Sequence, residues 1–203
     1  MAIVVAHPDD ADIWAGGALI KHRNNGDHIL EVCAFADDSV RREEAEESCK
    51  RLGAKVEFLN GTKNTSQLVS MLKEFKPDVI VTHWEMDSHY QHVEVFKMVQ
   101  GIIPTIVVDH NLSFNLYSCD SYNSFGRSSS ELFVPTDFVD VTSVWEEKLE
   151  LIAIYKSQPV EYWQRMIANQ NRLNGARCGV DYAEGYFQIP VLGISRRAME
   201  QLH

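Results

Sequence analysis

Short apolar runs alternate with amphipathic stretches through the first half of this 203-residue chain, and that alternation limits the fold more than any other feature. Ile3–Ala6, Ile29–Ala36, Lys55–Leu59, Asp78–His83 and Thr105–Val108 read as strands. Between them, Ala11–Asn24, Ser39–Leu52, Ser66–Phe75 and Val93–Gln100 read as helices, with Asn25-Gly26 stopping the first and Gly53 the second. The pattern predicts an α/β fold: a Rossmann-like, doubly wound, mostly parallel sheet with helices on both faces. From Asp109 to Pro135 the periodicity fails, and Ser, Asn and Tyr accumulate. That stretch is expected to be a long loop or irregular β excursion near the functional site. Phe138–Val141 then reads as a strand, Val144–Tyr155 and Glu161–Gly175 as helices, and Tyr186–Ile189 as a last extended segment. No linker or repeat interrupts this order. Residues 1–203 are therefore expected to form one domain, a length that suits one α/β core and not two.

Composition removes several function classes. The formal net charge is −10 and no basic patch offsets it, which argues against nucleic acid or an anionic membrane as partner. No apolar run approaches the roughly 20 residues that span a bilayer. Cys33, Cys49, Cys119 and Cys178 are scattered without a C-x-x-C pair, so neither a zinc knuckle nor a thioredoxin-like motif is supported. No charged segment precedes the first apolar run, so no secretory signal is expected. These features predict free thiols and a cytoplasmic protein. They leave open whether it is a monomer or a homo-oligomer.

The chemistry gathers at two points. The first strand stops at His7-Pro8-Asp9-Asp10. Proline ends ladder pairing and keeps His7 out of helical geometry, so these groups sit on a loop at a strand's carboxyl end. Open α/β sheets bind ligands there. One nitrogen and two oxygen donors within four residues make half of a metal site, or a turn. The second cluster, Asp87-Ser88-His89-Tyr90-Gln91-His92, follows the strand that ends in His83 and so lies on the same rim. His7, Asp10 and His92 together would be a two-histidine, one-carboxylate set with open positions for water and substrate, the form of a catalytic zinc. Iron(II) suits the same triad. His83 reads as a satisfied core histidine or as support for a ligand. Gly16-Gly17 is no G-x-G-x-x-G, and carboxylates occupy the turn where a pyrophosphate would bind, so a dinucleotide enzyme is disfavoured.

Ala6-His7-Pro8-Asp9-Asp10 followed by Asp87-x-His89-x-x-His92 resembles the LmbE/PIG-L family of zinc-dependent N-acetylglucosaminyl deacetylases. The similarity continues through Arg41 and Glu44 before Leu52-Gly53, Pro77–His83, Phe138–Thr142, Lys148, Tyr155–Gln158 and Gly179–Glu184. The resemblance implies a hydrolase that removes acetyl from an N-acetylated amino sugar or its glycoside, releasing free amine and acetate. It implies Zn2+, or Fe2+, held by His7, Asp10 and His92. It makes Asp9 the general base and His89 the group that stabilises the oxyanion, to which a protonated imidazole could donate. Arg41, able to bind sugar hydroxyls or a phosphate bidentately, and Asp87 are expected to contact substrate. On the residues alone, Arg41 reads equally as an exposed helix charge beside Arg42. Glu184 is either a buried structural carboxylate or part of the pocket. Ser157 and Gln158 read as holding a helix end. Tyr117 and Tyr122 are candidates to cover the sugar. Two departures stand out. Ala11 replaces the family's usual Glu, which puts support of the loop in question. Gln91 replaces its usual Asp and takes a carboxylate away from the metal, while Tyr90 alters the sugar pocket. Alternative readings are hydrolysis of another amide-linked sugar conjugate, or a non-catalytic sugar-binding protein of the same fold.

Overall fold

β1 (Ala2–Val5) has no exposed residue, and its side chains divide between two cores: Ala2 and Val4 face one, Ile3 and Val5 the other. In the computed structural model, which describes residues 1–128 and 130–194, this strand lies inside a seven-stranded sheet. It pairs in parallel with β2 (Leu30–Cys33) on one side and β4 (Val79–Thr82) on the other. β3 (Lys55–Phe58) adds in parallel to β2, and β5 (Asn115–Cys119) in parallel to β4. β7 (Ala183–Ile189) runs antiparallel to both β5 and β6 (Asp137–Asp140), completing the order β3-β2-β1-β4-β5-β7-β6. The expected mostly parallel, doubly wound sheet is present, with one antiparallel strand inserted near an edge.

The helices are α1 (Asp10–Asn24), α2 (Ser39–Leu52), α3 (Thr65–Phe75), α4 (Tyr90–Pro104), α5 (Trp145–Ile152) and α6 (Val160–Cys178). α1, α5 and α6 pack on the Ile3 and Val5 face, and α3 and α4 on the Ala2 and Val4 face. None is long and apolar enough among the described residues to cross a membrane. Strand order reverses between β1 and β4. The loops leaving these two strands therefore diverge around a crevice at their carboxyl ends, the usual ligand position in such sheets.

Two elements differ from the sequence reading. Thr105–Val108 is no strand: Thr105–Asp109 forms a π-helical turn that continues α4, burying Ile106 in the core beside α3 and α4. Packing overrides the β-branched composition here. The true fifth strand lies inside the stretch read as irregular. In Asn115–Cys119, Leu116 and Ser118 are buried while Tyr117 packs near Tyr186, rings 6.4 Å apart, away from the predicted site.

The middle of α1 is tied to the sheet. Gly17 and Ala18 donate their N–H groups to the two oxygens of Glu184, at 2.7 and 2.9 Å. A Cβ on residue 17 would lie 2.4 Å from Val141 Cγ1, so only glycine lets the segment leaving β6 approach α1. Lys148 Nζ and the Tyr186 hydroxyl complete the shell of Glu184, each at 2.7 Å, and all three side chains are buried. Glu184 is thus a structural carboxylate that ties β7 to α1 and α5.

Candidate metal centre

Asp10 opens α1, the first element after the β1 loop, and its side chain is the hub of the site. Oδ2 accepts the His7 backbone N–H at 2.7 Å and lies 3.1 Å from His7 Nδ1. It is also 3.3 Å from His92 Nε2 and 3.3 Å from His83 Nε2. Trp14 Nε1 donates to Oδ1 at 3.3 Å. Burial opposes the charge on Asp10, but His92, His7 and His83 outweigh it and hold its carboxyl well below the usual carboxylate range.

Each outer nitrogen of the two predicted ligand histidines is committed elsewhere. His7 Nε2 lies 2.8 Å from Gln91 Oε1, an acceptor, so Nε2 carries a proton and Nδ1 is the nitrogen turned towards Asp10. His92 Nδ1 lies 2.9 Å from Asp87 Oδ2, which leaves Nε2 as the inward atom, buried and without a hydrogen-bond partner. Asp10 Oδ2 thus lies 3.1 Å from His7 Nδ1 and 3.3 Å from His92 Nε2. Ligands about 2.0–2.1 Å from a tetrahedral ion are spaced by about 3.3–3.4 Å, so the two separations from Asp10 suit a divalent ion of that size. Ligand atoms of His7, His89 and His92 also lie within 4.8 Å of one another, as do those of Asp10, His83 and His92.

The remaining predicted residues fall into place around this point. Asp9 is buried and ion-paired with Arg41, which reaches in from the first turn of α2. Asp38 caps that helix by accepting the Val40 N–H at 2.8 Å, and this aims Arg41 inward while Arg42 stacks on Phe58. Arg41 is therefore not a free surface charge. Burial and the Asp10 charge raise the Asp9 carboxyl, against the pull of Arg41. His89 borders the centre, its ring 4.8 Å from both His7 and His92. Burial, then the neighbouring His92 and His7, lowers its pKa, against the pull of Asp10 and Asp87. Asp87 is corrected more plainly. It is fully buried, with one oxygen on His92 Nδ1 and the other accepting the His89 N–H at 2.8 Å, so it is placed to orient His92 and has no face for substrate.

Of the supports, the sequence reading offers His83; the contacts of the others it misses. His83 accepts the Ala6 N–H at 2.9 Å and stacks on His92 at 3.7 Å, bracing both motif loops. Ala11 is buried apolar core, and the loop is steadied instead by the Tyr155 hydroxyl, 2.7 Å from the Pro8 carbonyl, and by Asp12, which accepts from Ser48 at 2.6 Å. Glu44 accepts the Ser157 N–H at 2.8 Å and so pins the segment that carries Tyr155. Tyr122 stands against His92, ring centroids 5.7 Å apart. Residues with two-carbon or aromatic reach, far apart in sequence, leave no periodic signal of such contacts.

The chain matches the PIG-L family, described as GlcNAc-PI de-N-acetylase, over residues 2–103. That span holds both motifs. Among solved structures, 4-carboxy-2-hydroxymuconate hydratase GalB from Pseudomonas putida is similar at 23% identity and TM-score 0.78, over 100% of this chain and 98% of that one. N,N'-diacetylchitobiose deacetylase from Pyrococcus horikoshii is similar at 22% identity and TM-score 0.78, over 94% and 84% of the two chains. A teicoplanin deacetylase in a zinc-inhibited form is similar at 15% identity and TM-score 0.69, over 92% and 97%. These likenesses establish a shared fold.

Proposed function

This chain belongs to the PIG-L family, and from that premise we propose that it is a metal-dependent N-deacetylase acting on an N-acetylated amino sugar or its glycoside. The observation that carries this reading is the gathering of histidines around Asp10, whose Oδ2 lies 3.1 Å from His7 Nδ1 and 3.3 Å from His92 Nε2, with Asp9 alongside. Zinc or iron(II) bound there supplies Lewis acidity, lowering the pKa of water and polarising the acyl carbonyl. The protein does the rest. Asp9, kept beside Arg41, takes a proton from the attacking water and delivers it to the departing amine nitrogen. His89 donates a hydrogen bond to the developing oxyanion, a contact worth about 3 kcal/mol in other acyl-transfer sites. Acetate and free amine leave. Gln91 and Asp87 hold His7 and His92 in the tautomers that metal binding needs.

The test is primary-amine release from a panel of N-acetyl sugars and their glycosides. The expected result is release by zinc- or iron-loaded protein, loss on chelation and return on reloading. Metal-loaded protein that releases no amine from any member overturns the reading. The same loaded protein hydrating an unsaturated carboxylate would replace it with the water-adding reaction named for the muconate hydratase of this fold.

A further inference from the structure

The turn that carries Tyr122 is the most strained segment beside the site. Asn123 and Ser124 are consecutive non-glycine residues at φ 52° and 61°. L side chains rarely adopt that conformation, and it persists where the surroundings over-determine it. Here they do. Buried Asp120 accepts the Ser121 N–H at 2.7 Å and the Ser124 hydroxyl at 2.9 Å. Gln170 on α6 donates to the Ser121 carbonyl at 2.7 Å. What the turn delivers is a phenol. Its ring stacks on His92 at 5.7 Å and 21°, meets Trp14 edge-on at 5.2 Å and touches Trp163 at 5.5 Å. The charges that act on it are Asp10, Asp9 and Asp87 with Arg41 opposing them, all members of the site. Yet the hydroxyl makes no hydrogen bond to any described residue. A ring fixed on several sides, on an anchored and strained turn, is an unusual way to leave a good donor unused.

We propose that the Tyr122 hydroxyl is a substrate-binding and catalytic donor, aimed at the acyl oxygen on the open side of the centre and sharing that oxygen with His89. The assignment rests on the deacetylase reading. A phenol is a donor at neutral pH, and the acyl oxygen is an acceptor whose negative charge grows as water adds, so the bond strengthens towards the transition state. His92, against which the ring lies, presents its free Nε2 to the same space.

The experiment is Tyr122→Phe in the full metal-loaded chain, read in two ways. Turnover of the best N-acetyl sugar should fall about a hundredfold in kcat with KM changed less than about threefold, as for loss of one oxyanion donor. Metal stoichiometry and Tm should match wild type. Calorimetric titration with acetate, the product that presents the same oxygens, should show about tenfold weaker binding by the variant. Unchanged kcat or unchanged acetate affinity overturns the proposal, as does an equal loss of Tm and metal, which would make Tyr122 a packing residue. If wild type releases no amine, the deacetylase reading fails on that result, and the acetate titration alone decides Tyr122.

Discussion

Asp87 Oδ2 sits 2.9 Å from His92 Nδ1, and neither side chain is exposed to solvent. This pairing turns the free nitrogen of His92 towards Asp10 and leaves Asp87 nothing to offer a substrate. Asp87→Asn should therefore weaken zinc affinity about 10–100-fold, measured by competition with a chromophoric chelator. Metal affinity left intact with a raised KM would return Asp87 to the substrate contacts.

Asp9 lies next to Asp10, the proposed ligand, in sequence yet pairs with Arg41 instead of the histidines. Asp9→Asn should bind zinc within a few-fold of wild type and lose about 10²–10⁴-fold in kcat, the usual range for removing a general acid–base group. Zinc titration and steady-state kinetics on one preparation check it. Near-normal turnover removes the general-base role.

Gln91 looked in the sequence like the loss of a useful carboxylate, and the structure gives it a task. Its Oε1 is 2.8 Å from His7 Nε2. An acceptor is needed there and a charge is not. Gln91→Ala should lower zinc affinity at least about tenfold, and Gln91→Glu should preserve it. If alanine binds zinc as well as wild type, His7 is oriented by something else.

The motif residues were legible because spacing and strand ends placed His7, Asp10 and His92 on one rim before any contact was known. α2 was readable to its limits because Ser39 follows a capping Asp38 and Gly53 takes a left-handed φ of 62°. The rest was hidden for physical reasons. β5 carries Asn115, Ser118 and Cys119, residues without strand preference, and gains its place by pairing with β4 and β7. The role of Asp87 depends on where His92 Nδ1 points, and that is fixed by the turn into α4, not by composition. The lowered pKa of His89 comes from its burial among other histidines, which no local pattern encodes.

The centre should also make stability depend on pH. In metal-free protein, burial opposes a charge on His92, but the Asp10 and Asp87 carboxylates outweigh it and raise its pKa to about 10. A raised folded pKa stabilises fully below the unfolded value near 6.5 and ceases to do so as pH climbs to about 10. His83 runs the other way. Burial, then the neighbouring His92, lowers its pKa to about 4, so its contribution fades as pH falls from about 6.5 towards 4. Metal-free Tm should thus peak near neutrality and decline towards pH 10. Zinc-loaded protein, with Nε2 occupied, should lack the alkaline decline and should release protons on loading. Scanning calorimetry across pH, and zinc titrations in two buffers of different ionisation enthalpy, measure both. A metal-free Tm that is flat from pH 6.5 to 10 contradicts the geometry around His92.

Lys148 and Glu184 form an ion pair closed to water at 2.7 Å, with Asn171 accepting from Lys148 at 3.0 Å. The pair stands behind α1, because Glu184 also takes the N–H groups of Gly17 and Ala18. Lys148→Met leaves a carboxylate buried without its cation and should cost about 3–5 kcal/mol in urea unfolding. Adding Glu184→Gln removes the stranded charge while keeping an acceptor for the helix amides, so the double variant should recover a good part of that loss. Asp10 opens the same helix, so a shifted α1 also carries a prediction for the centre: Lys148→Met should weaken zinc binding although the residue touches no ligand. A loss under about 1 kcal/mol, or a double variant less stable than Lys148→Met, would show that α1 is held by its apolar packing alone.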